Sequence, residues 1–117
     1  LKTTKYKASE GTEYFLEIIN DDDILFGLLR LRLGKNNKTA TIRELHVYGP
    51  ALKLGDEGKL GQHRGLGKQL IKTAENIARK KSKNKLRIIS GVGVRQYYKK
   101  LGYKIDKNNI YVEKKLG

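Results

Sequence analysis

Hydrophobic and polar residues alternate from Glu13 to Ile19, with Tyr14, Leu16 and Ile18 on one parity and Glu13 and Glu17 on the other. That period of two predicts a strand with one buried face, ended by the polar turn Asn20 to Asp23. A second strand is predicted over Ile24 to Leu33. It opens with apolar residues on both parities and closes on the alternation Arg30, Leu31, Arg32, Leu33, so it starts centrally and ends half exposed. Gly34 to Lys38 turns the chain again. The third strand, Thr39 to Tyr48, changes parity within itself: Ala40 and Ile42 place even positions inward, Leu45 and Val47 odd ones. One residue must be absorbed near Arg43 and Glu44, which predicts a β-bulge and, beside it, unpaired backbone groups.

After Gly49 and Pro50, residues 51 to 61 read as a glycine-rich, acidic loop that could gate a cleft. Leu66, Leu70, Ile71, Ala74, Ile77 and Ala78 then recur at helical spacing, predicting a long amphipathic helix that frays over Lys80 to Lys85. Leu86 to Ser90 reads as a short buried strand, and Val94 to Leu101 as a second helix closed by Gly102 at C′. Tyr103 to Ile105 and Ile110 to Val112 read as strands around the turn Asp106 to Asn109. The predicted order is β-β-β-α-β-α-β-β, an α+β (mixed α/β) chain forming one domain over 1–117.

Composition removes several chemistries. There is no cysteine among the 117 residues, so disulfides, thiolate metal sites and iron-sulfur ligation are excluded, and two histidines do not make a zinc site; no metal ligands are predicted. No apolar run approaches the ~20 residues of a membrane span. The chain also lacks methionine, and reads as a fragment of a longer protein. Its charge is localised: 14 basic residues stand against one acidic between 59 and 104, whereas residues 1 to 58 are balanced at nine each. Such a block attracts a phosphate-rich cofactor or nucleic acid, with a solvated lysine face as the plainer alternative. On the long helix Lys68, Lys72 and Arg79 form a stripe that Lys80, Lys81, Lys83 and Lys85 extend; it is expected to meet an RNA backbone.

Gln62-His63-Arg64-Gly65-Leu66-Gly67 places glycines where the helix is expected to start. Free backbone N–H groups and the positive end of the helix dipole would cradle an anion there, and missing side chains let a pyrophosphate approach. The Lys-Ser/Thr of a P-loop and the spacing of a dinucleotide fingerprint are both missing.

These residues resemble the acetyl-coenzyme A signature of the GNAT superfamily. More closely, Arg43-Glu44-Leu45-His46-Val47-Tyr48-Gly49, Gln62 to Gly67, Ile89 to Tyr98 and Gly27 to Arg32 resemble the acetyltransferase domain of the Elongator catalytic subunit, a tRNA uridine acetyltransferase family. The resemblance spans essentially the whole chain. It implies a GNAT-like acyl-CoA N-acyltransferase fold, a central, mostly antiparallel, bulged sheet with helices on its faces, although the usual first helices of that fold are not evident. It also implies an intact cytoplasmic enzyme that builds a carboxymethyl group on the wobble uridine of tRNA. That enzyme joins this domain to a radical S-adenosylmethionine domain carrying a 4Fe-4S cluster, alongside Elongator-type subunits. Without cysteines this chain holds neither S-adenosylmethionine nor the cluster, and alone it is expected to bind acetyl-CoA without modifying tRNA.

By the same resemblance, Tyr98 protonates the departing coenzyme A thiolate, a role that suits a phenol protonated at neutral pH; the alternative is core packing with Val94, Tyr97 and Leu101. Glu44 is a general base or water-positioner, or else an exposed strand acid paired with Arg43. Expected cofactor contacts are Leu45, His46 and Val47 on the bulged strand, Gln62, His63, Arg64, Gly65, Leu66, Gly67 and Lys68 at the cradle, and Tyr97, for which core packing is favoured. Two other functions fit the residues: an independent N-acetyltransferase of a protein or small amine, and a basic RNA-binding module with a degenerate cofactor site.

Overall fold

A computed structural model describes residues 2–8, 10–19, 21–35, 37–47, 57–89, 95–108 and 110–117, leaving out the side chains of 6, 8, 57–64 and 96. The elements are β1 (Lys2–Ala8), β2 (Gly11–Ile19), β3 (Leu25–Gly34), β4 (Thr39–Val47), α1 (Glu57–Lys80), β5 (Lys85–Ile89), α2 (Arg95–Lys100), β6 (Lys104–Ile105) and β7 (Tyr111–Lys115). Seven strands form one sheet in the order β1-β2-β3-β4-β5-β7-β6. Every pairing is antiparallel except β4 with β5, the pair joined through α1.

The register puts Leu16 opposite Leu29, Tyr14 opposite Leu31, Leu31 opposite Ile42, Ile42 opposite Ile88 and Ile88 opposite Val112. All these side chains are buried and share one face of the sheet. Leu70, Ile71, Ala74 and Ala78 of α1 close over that face, and Tyr98 of α2 and Tyr103 join the same cluster. Burying this continuous apolar layer is the main stabilising term. Both helices therefore contribute to the one apolar layer on this face. Across the other face run polar side chains: Glu13, Arg30, Arg32 and Glu44, with Arg87 stacked 4.4 Å over the Tyr111 ring.

Several expectations need correction. β1 was not predicted, because an edge strand whose described side chains are exposed shows no buried parity. β3 begins at Leu25, and Ile24 is exposed. β5 is buried only in part, since Ile89 is also exposed. The predicted loop 51 to 61 lies partly outside the described residues, but its end is helical, because α1 begins at Glu57. At the other end α1 does not fray. Lys83 N–H donates to Ala78 O at 2.9 Å and Ser82 N–H to Arg79 O at 3.0 Å, a Schellman closure with Ser82 at φ 62°. The expected closure of α2 is present, with Gly102 at φ 96° and Tyr103 N–H donating to Tyr98 O at 3.1 Å. Val94, Tyr48, Gly49, Pro50 and Ser90 fall outside the described residues.

Candidate active site

β4 and β5 run side by side only from Thr39 and Lys85 to Ile42 and Ile88. β4 then continues to Val47 beside β3 alone, and the register there steps from Leu31–Ile42 to Arg30–Glu44, leaving Arg43 without a partner. This is the predicted bulge. The extra residue bends β4 away from β5, and the strands diverge into a cleft of about 230 Å³. Ile42 and Ile88 lie at its apex, and Glu44, Leu45, His46 and Tyr98 line its walls. Among the described residues the β4–β5 ladder ends at Ile42 and Ile88, and beyond it the strand edge of β4 is placed to take an extended ligand as a further strand.

Tyr98 reaches the cleft from α2 while 7% exposed, and its ring packs edge-on against Tyr97 at 5.4 Å and Tyr103 at 6.3 Å. Burial, and then the neighbouring Tyr97, push the Tyr98 hydroxyl above the ordinary tyrosine range, so it is fully protonated at neutral pH. Core packing and a place in the cleft are thus combined in one side chain. Tyr97 turns toward α1 instead. A Cβ on Gly67 would stand 3.0 Å from the Tyr97 hydroxyl and 3.5 Å from Val47 Cγ2, so glycine is what lets α1 approach α2 and the end of β4. The Tyr97 hydroxyl is buried with no hydrogen-bond partner among the described residues, and burial raises its pKa. An orphaned phenol beside the opening of a cleft fits a polar ligand group that completes it.

Glu44 is not paired with Arg43. Arg30 Nη1 donates to Glu44 Oε1 at 2.7 Å, while Arg43 Nη1 reaches Glu13 Oε2 at 3.5 Å. The sequence reading missed Arg30 because it falls opposite Glu44 only once the bulge is counted into the register. His46 Nε2 stands 3.8 Å from Glu44 Oε2 at the exposed rim.

Gln62, His63 and Arg64 lie in α1, with their side chains outside the description. Gly65 is exposed, Leu66 half-buried and Gly67 buried. Lys68 is not brought to the cleft; with Lys72, Glu75, Leu101 and Lys114 it lines a separate hollow of about 180 Å³. Because α1 starts at Glu57, the segment 64–68 lies two turns inside the helix and not at its start. Its amides are engaged by the helical ladder. Gly58, Gly61, Gly65 and Gly67 each weaken this stretch by about 1 kcal/mol relative to alanine, so the first turns are its least stable part. Among the described residues no group of three or more potential metal ligands occurs.

The family model for the acetyltransferase (GNAT) domain matches residues 3–115. The chain belongs to the GNAT acetyltransferase family. Its fold agrees: it superposes with a TM-score of 0.77 on a structure of the archaeal Methanocaldococcus infernus Elp3 with an N-terminal deletion, at 34% identity over 98% of this chain and 29% of that one. It is 46% identical over 117 residues to a tRNA uridine(34) acetyltransferase of Dehalococcoides mccartyi, covering 90% of this chain and 26% of that protein. Elongator complex protein 3 of Schizosaccharomyces pombe is 43% identical over 113 residues, covering 86% and 21% respectively. The GNAT chain thus spans about a quarter or less of the curated relatives it matches here.

Proposed function

We propose that this chain is the acetyl-CoA-binding acetyltransferase domain of a cytoplasmic enzyme that builds a carboxymethyl group on the wobble uridine of tRNA. The observation that carries the reading is the divergence of β4 from β5 beyond Ile42 and Ile88 with the Tyr98 side chain on the cleft wall. The names of the relatives supply the nucleic-acid substrate. Acetyl-CoA supplies an activated acyl group and a thiolate leaving group. Leu45, His46 and Val47, on the stretch of β4 beyond its last pair with β5, would lie along its extended arm. Gly67 would permit close approach at the Tyr97 hydroxyl, and the backbone from Gln62 to Lys68 would meet its phosphates once the preceding turns open. Tyr98 holds its proton at neutral pH and would supply it to the thiolate sulfur that leaves when an acceptor takes the acetyl group. Arg30 fixes the Glu44 carboxylate as an acceptor, which suits it to positioning a water or the acceptor rather than moving through the cleft.

S-adenosylmethionine and a 4Fe-4S cluster belong to a radical domain of the intact enzyme. This cysteine-free chain holds neither, and alone it leaves tRNA unmodified. Elongator-type subunits are its proposed partners.

For pyrophosphate to meet the amides of 64–68, the glycine-weakened turns Glu57–Arg64 must give way. Gly65→Glu tests this cradle. A Cβ at 65 meets nothing within 4 Å and glutamate is the better helix former, so the fold stays intact. Its bulk and negative charge are expected to abolish acetyl-CoA binding in titration calorimetry. Undiminished affinity would place the phosphates elsewhere.

A further inference from the structure

A second and larger hollow, of about 470 Å³, lies away from the β4–β5 cleft, on the helix-bearing side of the sheet where α1 ends short of β1 and β2. Its floor is Tyr14, Leu33 and the Gly11 backbone. Lysines from three separated segments converge on it: Lys5 and Lys7 from β1, Lys35 from the β3–β4 turn, and Lys81 and Lys83 from the end of α1. Glu10 is the single carboxylate among its described lining residues.

Lys83 is committed to the fold, since its ammonium donates to the carbonyls of Gly34 and Asn37 and ties α1 to the β3–β4 turn. The other four lysines are exposed, and Lys5 and Lys7 project from the same face of β1, about 6.6 Å apart along the strand. Lys85, placed by the sequence in the same stripe as Lys81, turns instead to Glu113 at 3.6 Å. Of the residues that extend the stripe, Lys81 and Lys83 line this hollow and Lys85 does not.

We propose that this hollow grips the phosphodiester backbone of RNA through Lys5, Lys7, Lys35 and Lys81, an inference that rests on the tRNA reading above. Concave placement of cations from separate segments suits a charged chain laid through a groove. The exposed large apolar side chains of the described residues, Ile24, Ile89 and Ile110, all lie elsewhere, so no described side chain at the rim would insert into a lipid surface. Ammonium groups carried by flexible stems are point charges that track phosphates without reading bases.

The test measures binding of an unmodified tRNA transcript by the full-length protein as a function of salt, with Lys5, Lys7, Lys35 and Lys81 all changed to glutamine and, separately, all to arginine. Each lost phosphate contact removes roughly 0.7 to 0.9 from the slope of log affinity against log salt, so the glutamine variant should lose about 3 in slope. The arginine variant should retain the slope, and acetyl-CoA binding should be unchanged in both. Unchanged tRNA affinity and slope in the glutamine variant would overturn the proposal while leaving the tRNA reading intact. A glutamine variant that binds tRNA normally but loses a polyglutamate peptide or phosphatidylserine vesicles would overturn it in favour of another partner. Absence of tRNA binding by the unaltered protein, with acetyl-CoA still bound, would overturn both.

Discussion

Tyr98, Tyr97 and Tyr103 sit within seven residues of one another and do three different things. Tyr103 is 2% exposed and its hydroxyl donates to Glu75 Oε2 at 2.7 Å; burial and then that hydrogen bond push its pKa far above the ordinary range, which makes it a structural tie between α1 and the strand region. Lys114 shares the same carboxylate oxygen at 3.2 Å, so the buried Glu75 is paired as well as bonded. Tyr97 carries the orphaned hydroxyl at Gly67, and Tyr98 carries the protonated hydroxyl in the cleft. Replacing Tyr98 with Phe preserves its packing, so coenzyme A binding should stay nearly intact while thioester cleavage by the full-length enzyme with tRNA falls about 100-fold or more. Unchanged turnover would return Tyr98 to a packing role. At this scale spacing carries the core packing of Tyr98 on a short helix ended by Gly102, while its expected place at the site comes from the family resemblance. The sequence was silent on the Arg30–Glu44 pair, because adjacency across strands depends on register and a single bulge moves every partner by one.

Among the elements, those with a buried parity were read nearly to their ends: β2, β3, β4 and the core face of α1. β1 was invisible for a physical reason, since a strand gains its place from backbone pairing with β2 and needs no apolar face to do so. The start of α1 was misread because glycines oppose helix locally while the chain still completes the ladder through Glu57. Its end was misread because a serine hides a left-handed closure that glycine would have announced. Ser82 adopts φ 62° at C′, a conformation that costs an L-residue about 1–2 kcal/mol. Ser82→Gly should therefore stabilise the protein, by about 0.5–1 kcal/mol after the larger unfolded-state entropy of glycine is set against the relieved strain. A rise in the urea midpoint at constant slope is the expected observation.

For the molecule as a whole, the two faces of the sheet are held by different forces. One is apolar and covered by helices; the other is held by charge, centred on Glu13, which is 2% exposed and spans three strands. Burial by itself would raise the Glu13 pKa, but a hydrogen bond from Arg32 and the charges of Arg43, Arg30 and Arg32 outweigh it and hold the carboxyl below its usual 4.5. A depressed folded-state pKa contributes stability that is present above the unfolded value and lost as pH falls through the folded one. The melting temperature should thus fall progressively once the pH drops below 4.5, and Glu13→Gln should lower it at neutral pH while flattening that acid limb. An acid limb that is equally steep in the variant would assign the loss to other carboxylates.

The lysines of β1 have a consequence beyond RNA. Among the described residues β1 ends the sheet and pairs with β2 alone, which leaves a row of backbone donors and acceptors able to template another strand. Lys2, Lys5 and Lys7 line that border with like charge, so two molecules brought edge to edge repel before their backbones can zip together. Whatever neutralises these side chains, whether a bound polyanion, high salt or acylation of the ammonium groups, lowers that barrier. The same cations that would recruit nucleic acid thus also act as gatekeepers against self-association.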